Sequence, residues 1–150
     1  MFYILILAVI ILDQVSKFFI QTNMNLNSSI PLIDGFFSIT YIHNTGAAFS
    51  VLQGKTIFLI SIQMLVILII FVYVIYKRSL LHWTLKASLA LIVGGGIGNL
   101  IDRICNGYVV DFIHFHFWPI FNIADISVCI GCGLLIMYVF FVEGKGINGK

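Results

Sequence analysis

Residues 57–76 form an unbroken run without a single charged side chain. At the helical rise of about 1.5 Å per residue such a run covers about 30 Å, the thickness of a bilayer's hydrocarbon core. A helix that is apolar on every face has no side to turn to water. This stretch therefore places the chain in a membrane. Composition agrees: 61% of the 150 residues are hydrophobic and 9% charged, where a soluble domain carries about 25% charged residues. A polar shell cannot be built from so few charges.

Three further runs are long enough to cross. Residues 83–101 carry one charge, Lys86, near the start, from which its ammonium can snorkel to the interface. Residues 126–142 are slightly short. Residues 2–20 open apolar and then take in Asp13, Gln14, Ser16 and Lys17. A cleaved signal peptide would want a basic start and a small-residue cleavage site. Neither is present, so a retained helix is expected. Lys77, Arg78 and Lys86 bracket the connection between spans two and three, and Lys145 and Lys150 follow span four. The positive-inside rule then puts both termini in the cytoplasm and the two long connections, residues 21–56 and 102–125, outside.

Those outer connections have structure of their own. Residues 36–42 (F-F-S-I-T-Y-I) and 108–117 (Y-V-V-D-F-I-H-F-H-F) are rich in β-branched and aromatic residues and read as strands. Residues 46–52 (G-A-A-F-S-V-L) suit a short interfacial helix, able to cover a site from an outer loop. The expected fold is one integral membrane domain over residues 1–150, with four transmembrane α-helices, a small extracytoplasmic β-sheet and a short interfacial helix.

The acids are the informative residues. Of six, Glu143 follows the last span, and Asp34 precedes Gly35 as a turn residue would. The other four, Asp13, Asp102, Asp111 and Asp125, fall at or near the outer ends of apolar segments. An ionisable group at membrane depth is costly and marks a functional site by default. Four at one level point to one shared site. Asp13 and Lys17 lie four apart and can pair on one helix face, as a structural ion pair or with Lys17 reaching a substrate. In residues 94–103 (G-G-G-I-G-N-L-I-D-R), Gly94, Gly98 and Asp102 make one helical stripe, and Gly95, Asn99 and Arg103 the next. Glycines at this spacing let another backbone approach, and the polar end of each stripe faces whatever packs there. Asp102 and Arg103, as neighbours, face different ways and need separate partners.

Asp111 sits in an apolar strand-like run and Asp125 at the entrance to span four. Two carboxylates in one low-dielectric pocket share a proton and titrate as a pair. That suits an aspartic protease, in which one carboxylate draws a proton from water while the other polarises the scissile carbonyl. A local alternative stands for each: an edge-strand acid for Asp111, and for Asp125 the N3 partner of an Asn122 N-cap.

At these residues the chain resembles the bacterial lipoprotein signal peptidase (signal peptidase II) family. The matches are D-Q-V-S-K at residues 13–17, N-T-G-A-A-F at 44–49, the glycine-rich run at 94–103, V-V-D-F-I at 109–113 and F-N-I-A-D at 121–125, in the family's order. The resemblance implies a β-cradle at the extracytoplasmic face of four spans, in the bacterial cytoplasmic (inner) membrane. It implies Asp111 and Asp125 as the catalytic dyad, with Asp13, Lys17, Asn44, Asn99, Asp102, Arg103, Asn122 and Ala124 around the site, and Gly95 on its glycine stripe. The implied substrates are prolipoproteins, cut just before a cysteine carrying diacylglycerol, with the acyl chains left in membrane lipid. No cofactor is implied, and a monomer is expected. Gly96 stands where the family often has alanine, and the basic residues often found near the N-terminus are missing.

Other chemistries find less support. Ser16 and Lys17 are adjacent and point apart, so no Ser/Lys pair forms. His114 and His116 lie two apart and could hold a metal with Asp111, but no fourth ligand is in view, and aromatic-like interfacial packing fits H-F-H-F better. Cys129 and Cys132 sit inside an apolar run as small packing residues. A proton or cation path needs acids through the membrane depth, whereas here they crowd one end. A formal charge of +2 with no basic run offers nothing to nucleic acid.

Overall fold

The computed structural model describes residues 1–47, 51–77 and 81–143. The chain runs α1 (Phe2–Asn23), β1 (Ser29–Ile33), β2 (Phe37–Asn44), α2 (Thr56–Tyr76), α3 (Trp83–Asn106), β3 (Val109–Phe115) and α4 (Ile123–Tyr138), the last prolonged by a π-helical turn, Val139–Glu143. Among the described residues, four helices are long and apolar enough to cross a bilayer.

Helix α3 is the centre of the bundle and packs on each of the other three. Its glycines set the distances. A Cβ on Gly94 would lie 2.9 Å from Val9 Cβ, and one on Gly95 would run into the Ala124 carbonyl. The stripe at 94 and 98 thus seats α1, and Gly95 seats α4. Helix α1 answers with a single buried face, Phe2, Ile6, Val9, Asp13, Lys17 and Ile20, at three- and four-residue spacing. Helix α2 buries only Leu59 and Val74 and shows the rest of its apolar surface outward. Such a surface is stable only against lipid.

The three strands form an antiparallel sheet in the order β1-β2-β3. Strand β2 pairs with β3 from Phe37↔Phe115 to Asn44↔Val109, with a register slip between Ile39 and Ile42. That pairing brings Asn44 and Asp111 to the same end of the sheet. Two apolar clusters bracket the polar middle. One joins Phe2, Ile6, Leu89 and Val93 deep in the bundle, and the other joins Ile20 to Tyr41, Val110 and Phe112 under the sheet.

Several boundaries differ from the sequence expectation. Strand β1 was not anticipated. It is an edge strand exposed at all five positions, with Pro31 inside it, and an edge tolerates a residue that cannot donate to the ladder. Helix α3 continues past residue 101 to Asn106 and stops at Gly107, whose φ of 82° is left-handed. Asp102 and Arg103 are therefore held on a rigid helix. Helix α4 begins at Ile123, before the expected residue 126, because Asn122 caps it. The interfacial helix expected at 46–52 falls on residues 48–50, outside the described residues. On its flanks, residues 46–47 bend and residues 51–54 turn.

Candidate active site

Asp111 comes from β3 and Asp125 from the first turn of α4, and Asn122 stands between them. The Asn122 side-chain amide donates to Asp111 Oδ1 at 2.7 Å, while its backbone N–H donates to Asp125 Oδ2 at 3.2 Å. The remaining oxygens are held from the other side. Asn44 Nδ2 donates to Asp111 Oδ2 at 2.9 Å, and Asn99 Nδ2 donates to Asp125 Oδ1 at 2.8 Å. Each carboxylate is thus gripped at both oxygens by amide donors, none of which carries a charge.

Asp111 is 1% exposed. Burial, reinforced by the charge of Asp125, pushes its carboxyl up to about 7, against the pull of the Asn44 and Asn122 amides and of Lys17. A carboxyl so placed holds a proton near neutrality beside a second carboxylate.

Behind the pair lies a buried ion cluster. Lys17 Nζ reaches Asp13 Oδ2 at 2.8 Å, Asp102 Oδ2 at 3.0 Å and Asn99 Oδ1 at 2.9 Å. Three donors meet three acceptors, so the ammonium is saturated. Asp13 also accepts the Ala124 N–H at 2.9 Å, and Asp102 accepts the Val110 N–H at 3.0 Å. These two acids fix the start of α4 and of β3, the elements that carry Asp125 and Asp111. They and Lys17 support the site from behind.

Asp111, Asp125, Asn44, Asn99 and Arg103 face a cavity of about 640 Å³. Its other wall is apolar, including Trp118, Ile126, Val128 and Ile130. Trp118 and Ile130 are more than half exposed, so this wall continues onto the surface of the bundle. The cavity's polar floor meets an apolar side.

The residues singled out from sequence gather here, in different roles. Asn44, Asn99 and Arg103 line the cavity with the two acids. Asp13, Lys17 and Asp102 sit behind. Gly95 and Ala124 meet at the α3–α4 contact, and Asn122 is the bridge. Asp102 and Arg103 do face apart, the latter donating to Gly46 O and Gln63 Oε1. The other groupings do not assemble. His114 lies against Ser38 and Thr40, and His116 against Ser38, whereas Asp111 is held by the two asparagines. Ser16 donates to Asp13 O. Two glutamines were missed. Gln14 donates to Asp13, Gly98 O and Asp102, and Gln63 joins α2 to α3. The signal for Gln63 was its place as the one side-chain amide in an otherwise apolar span.

Fold and site together define a multi-pass membrane protein of the bacterial membrane-enzyme class. A solved structure described as a bacterial membrane enzyme at 2.3 Å resolution matches with a TM-score of 0.89 at 35% identity, covering 99% of this chain and 91% of that one. A second, at 1.9 Å, matches with a TM-score of 0.83 at 35% identity over 94% and 93%. The chain belongs to the signal peptidase II family, whose model, signal peptidase (SPase) II, matches residues 5–141. Among its relatives, the lipoprotein signal peptidase of Halothermothrix orenii is 46% identical over 97% of this chain and 99% of its own length. That of Symbiobacterium thermophilum is 42% identical over 95% and 96%.

Proposed function

We propose that this protein is an aspartic endopeptidase that removes the signal peptide from diacylglyceryl-modified prolipoproteins, cutting just before the lipidated cysteine. The observation that carries the reading is the two-sided grip on Asp111 and Asp125, joined through Asn122 and facing one cavity. Family membership supplies the substrate class.

In the resting site the pair holds one proton. A water between the carboxylates loses a proton to the ionised one as its oxygen attacks the scissile carbonyl, while the protonated one donates to the carbonyl oxygen. The tetrahedral intermediate then breaks its C–N bond. The leaving amine takes up the proton that came from water, a hydroxyl of the intermediate returns its proton to the carboxylate that had donated, and the new carboxyl terminus forms with the pair again holding one proton. The neutral amide donors orient both carboxylates without forcing both to ionise. That is why asparagines suit these places better than lysines.

The polar floor of the cavity takes the peptide, and its apolar wall lets the diacylglyceryl group stay among membrane lipid. The whole chain, residues 1–150, is read as one protease domain in the bacterial inner membrane, with both termini cytoplasmic and the site toward the outer face. The protein is read as a monomer.

The test is cleavage of a diacylglyceryl-modified prolipoprotein by purified protein in lipid, read by gel shift. The wild type should cut before the lipidated cysteine, and Asp111→Asn and Asp125→Asn should each be folded and inactive. Cleavage that survives in either folded variant overturns the dyad.

A further inference from the structure

Gln63 is the only side-chain amide in α2, whose other polar residues carry hydroxyls. An amide in a lipid-facing helix is costly unless both its ends are used, and Gln63 uses both. Its Nε2 donates to Gly96 O at 2.7 Å, and its Oε1 accepts from Arg103 Nη1 at 3.2 Å. Gly96 and Arg103 lie about two helical turns apart on α3, so one side chain straddles both.

Contacts run on from the guanidinium. Arg103 Nη2 donates to Gly46 O at 2.7 Å, and the Gly46 N–H donates to Asn44 Oδ1 at 2.9 Å. Asn44 in turn donates to Asp111 Oδ2. We infer that Gln63 is a positioning residue for the cleavage reaction, setting through Arg103 and Gly46 the orientation of Asn44 against Asp111. The inference rests on the peptidase reading above.

The chemistry favours an amide at this place. Arg103 faces the same cavity as Asp111 and Asp125, and an unrestrained guanidinium there is drawn into bidentate pairing with a carboxylate. That pairing would hold the acid ionised and take it out of the shared-proton pair. A neutral acceptor from α2 keeps the cation turned toward the Gly46 carbonyl instead. Packing alone does not require the contact, since Ile67, Ile70 and Phe71 of α2 already pack against the core of the bundle.

Two substitutions separate positioning from structural support. Gln63→Leu removes both contacts. Gln63→Glu keeps an acceptor for Arg103 and loses the donor to Gly96 O. We expect Gln63→Leu to lower kcat on the lipidated prolipoprotein about tenfold or more, and Gln63→Glu to stay within about threefold of wild type. A purely structural role through Gly96 predicts that both variants lose activity alike, since both lose that donor, and that result overturns the inference, as does full activity in Gln63→Leu. Thermal unfolding in the same lipid identifies folded variants. Should Gln63→Leu not fold, Gln63→Glu alone decides, retained activity supporting the inference and a tenfold loss overturning it. Wild-type protein that does not cut brings down the peptidase reading, Asp111→Asn that does cut brings down the dyad, and this inference falls with either. Wild type that cuts, Asp111→Asn that does not, and Gln63→Leu at full activity together remove the inference alone.

Discussion

Asn122 and Asp125 hold one another at the entrance to α4. The Asp125 N–H donates to Asn122 Oδ1 at 2.9 Å, and the Asn122 N–H donates to Asp125 Oδ2 at 3.2 Å. This capping box leaves the Asn122 amide nitrogen free to reach Asp111, so a helix cap and a bridge between two acids are one side chain. The two roles separate by substitution. Serine is a good N-cap but has no amide to give Asp111. Asn122→Ser and Asn122→Ala both lose the buried amide donor, but Asn122→Ala also loses about 1 kcal/mol of cap stability, so Asn122→Ser should unfold at the higher temperature of the two. Both should lose most cleavage activity. Equal unfolding temperatures for the two variants would refute the cap's contribution.

The raised carboxyl of Asp111 fixes the pH response. Its folded value, about 7, lies above the ordinary 3.8, so the folded protein keeps a proton that the unfolded chain has already lost between those values. Folding stability from this group should thus fall as pH rises from about 4 through 7. In the reaction, Asp111 gives up its proton near 7, so kcat/KM should decline above neutrality. Asn44 opposes the upward shift, and Asn44→Ala should move that alkaline limb to higher pH while lowering the maximum. A limb that moves down, or stays put, contradicts the role given to the Asn44 amide.

The three glycines at 95, 96 and 98 should respond differently to a single methyl group. At Gly98 the new Cβ would sit 2.5 Å from Asp13 Oδ2, and at Gly95 it would run into the Ala124 carbonyl. Overpacking of that kind costs about 1–3 kcal/mol, and here it also displaces site groups. At Gly96 the nearest atom is Ile67 Cδ1 at 3.4 Å, an ordinary contact, and alanine gains about 0.5–1 kcal/mol over glycine in a helix. Thermal midpoints should rise slightly for Gly96→Ala and fall for Gly95→Ala and Gly98→Ala. A rise in all three would show that the helix spacing is not set by these glycines.

Lys17 should be indispensable for stability. Its removal leaves Asp13 and Asp102 buried without their shared cation, and breaking such a pair costs about 3–5 kcal/mol. Lys17→Met should be strongly destabilised, and adding Asp102→Asn should recover part of the loss. A double variant no more stable than the single one would argue against the ion cluster as the cause.

The spans were legible because an apolar run of bilayer length has few alternatives, and the pairing of Asp13 with Lys17 followed from helical spacing alone. The glycine stripes told which faces of α3 others approach, though not which helix takes which stripe. Strand β1 was hidden because Pro31 and five exposed positions give no alternation to read. Gln63 was hidden for another reason. A single amide has no period, and its partners Gly96 and Arg103 are distant in sequence and meet it only across a helix pair. Asn122 and Asp125 presented a choice between a local cap and a reactive site. The structure combines both, which a four-residue pattern cannot express.

Asp13 lies in α1, yet it accepts the backbone N–H of Ala124, 111 residues later. Its partner Asp102 likewise waits for the N–H of Val110. A nascent chain in which α1, α2 and α3 have been made but α4 has not therefore holds an acid whose last hydrogen-bond donor does not yet exist. The polar cluster closes only when α4 arrives, so the order of synthesis itself delays assembly of the site.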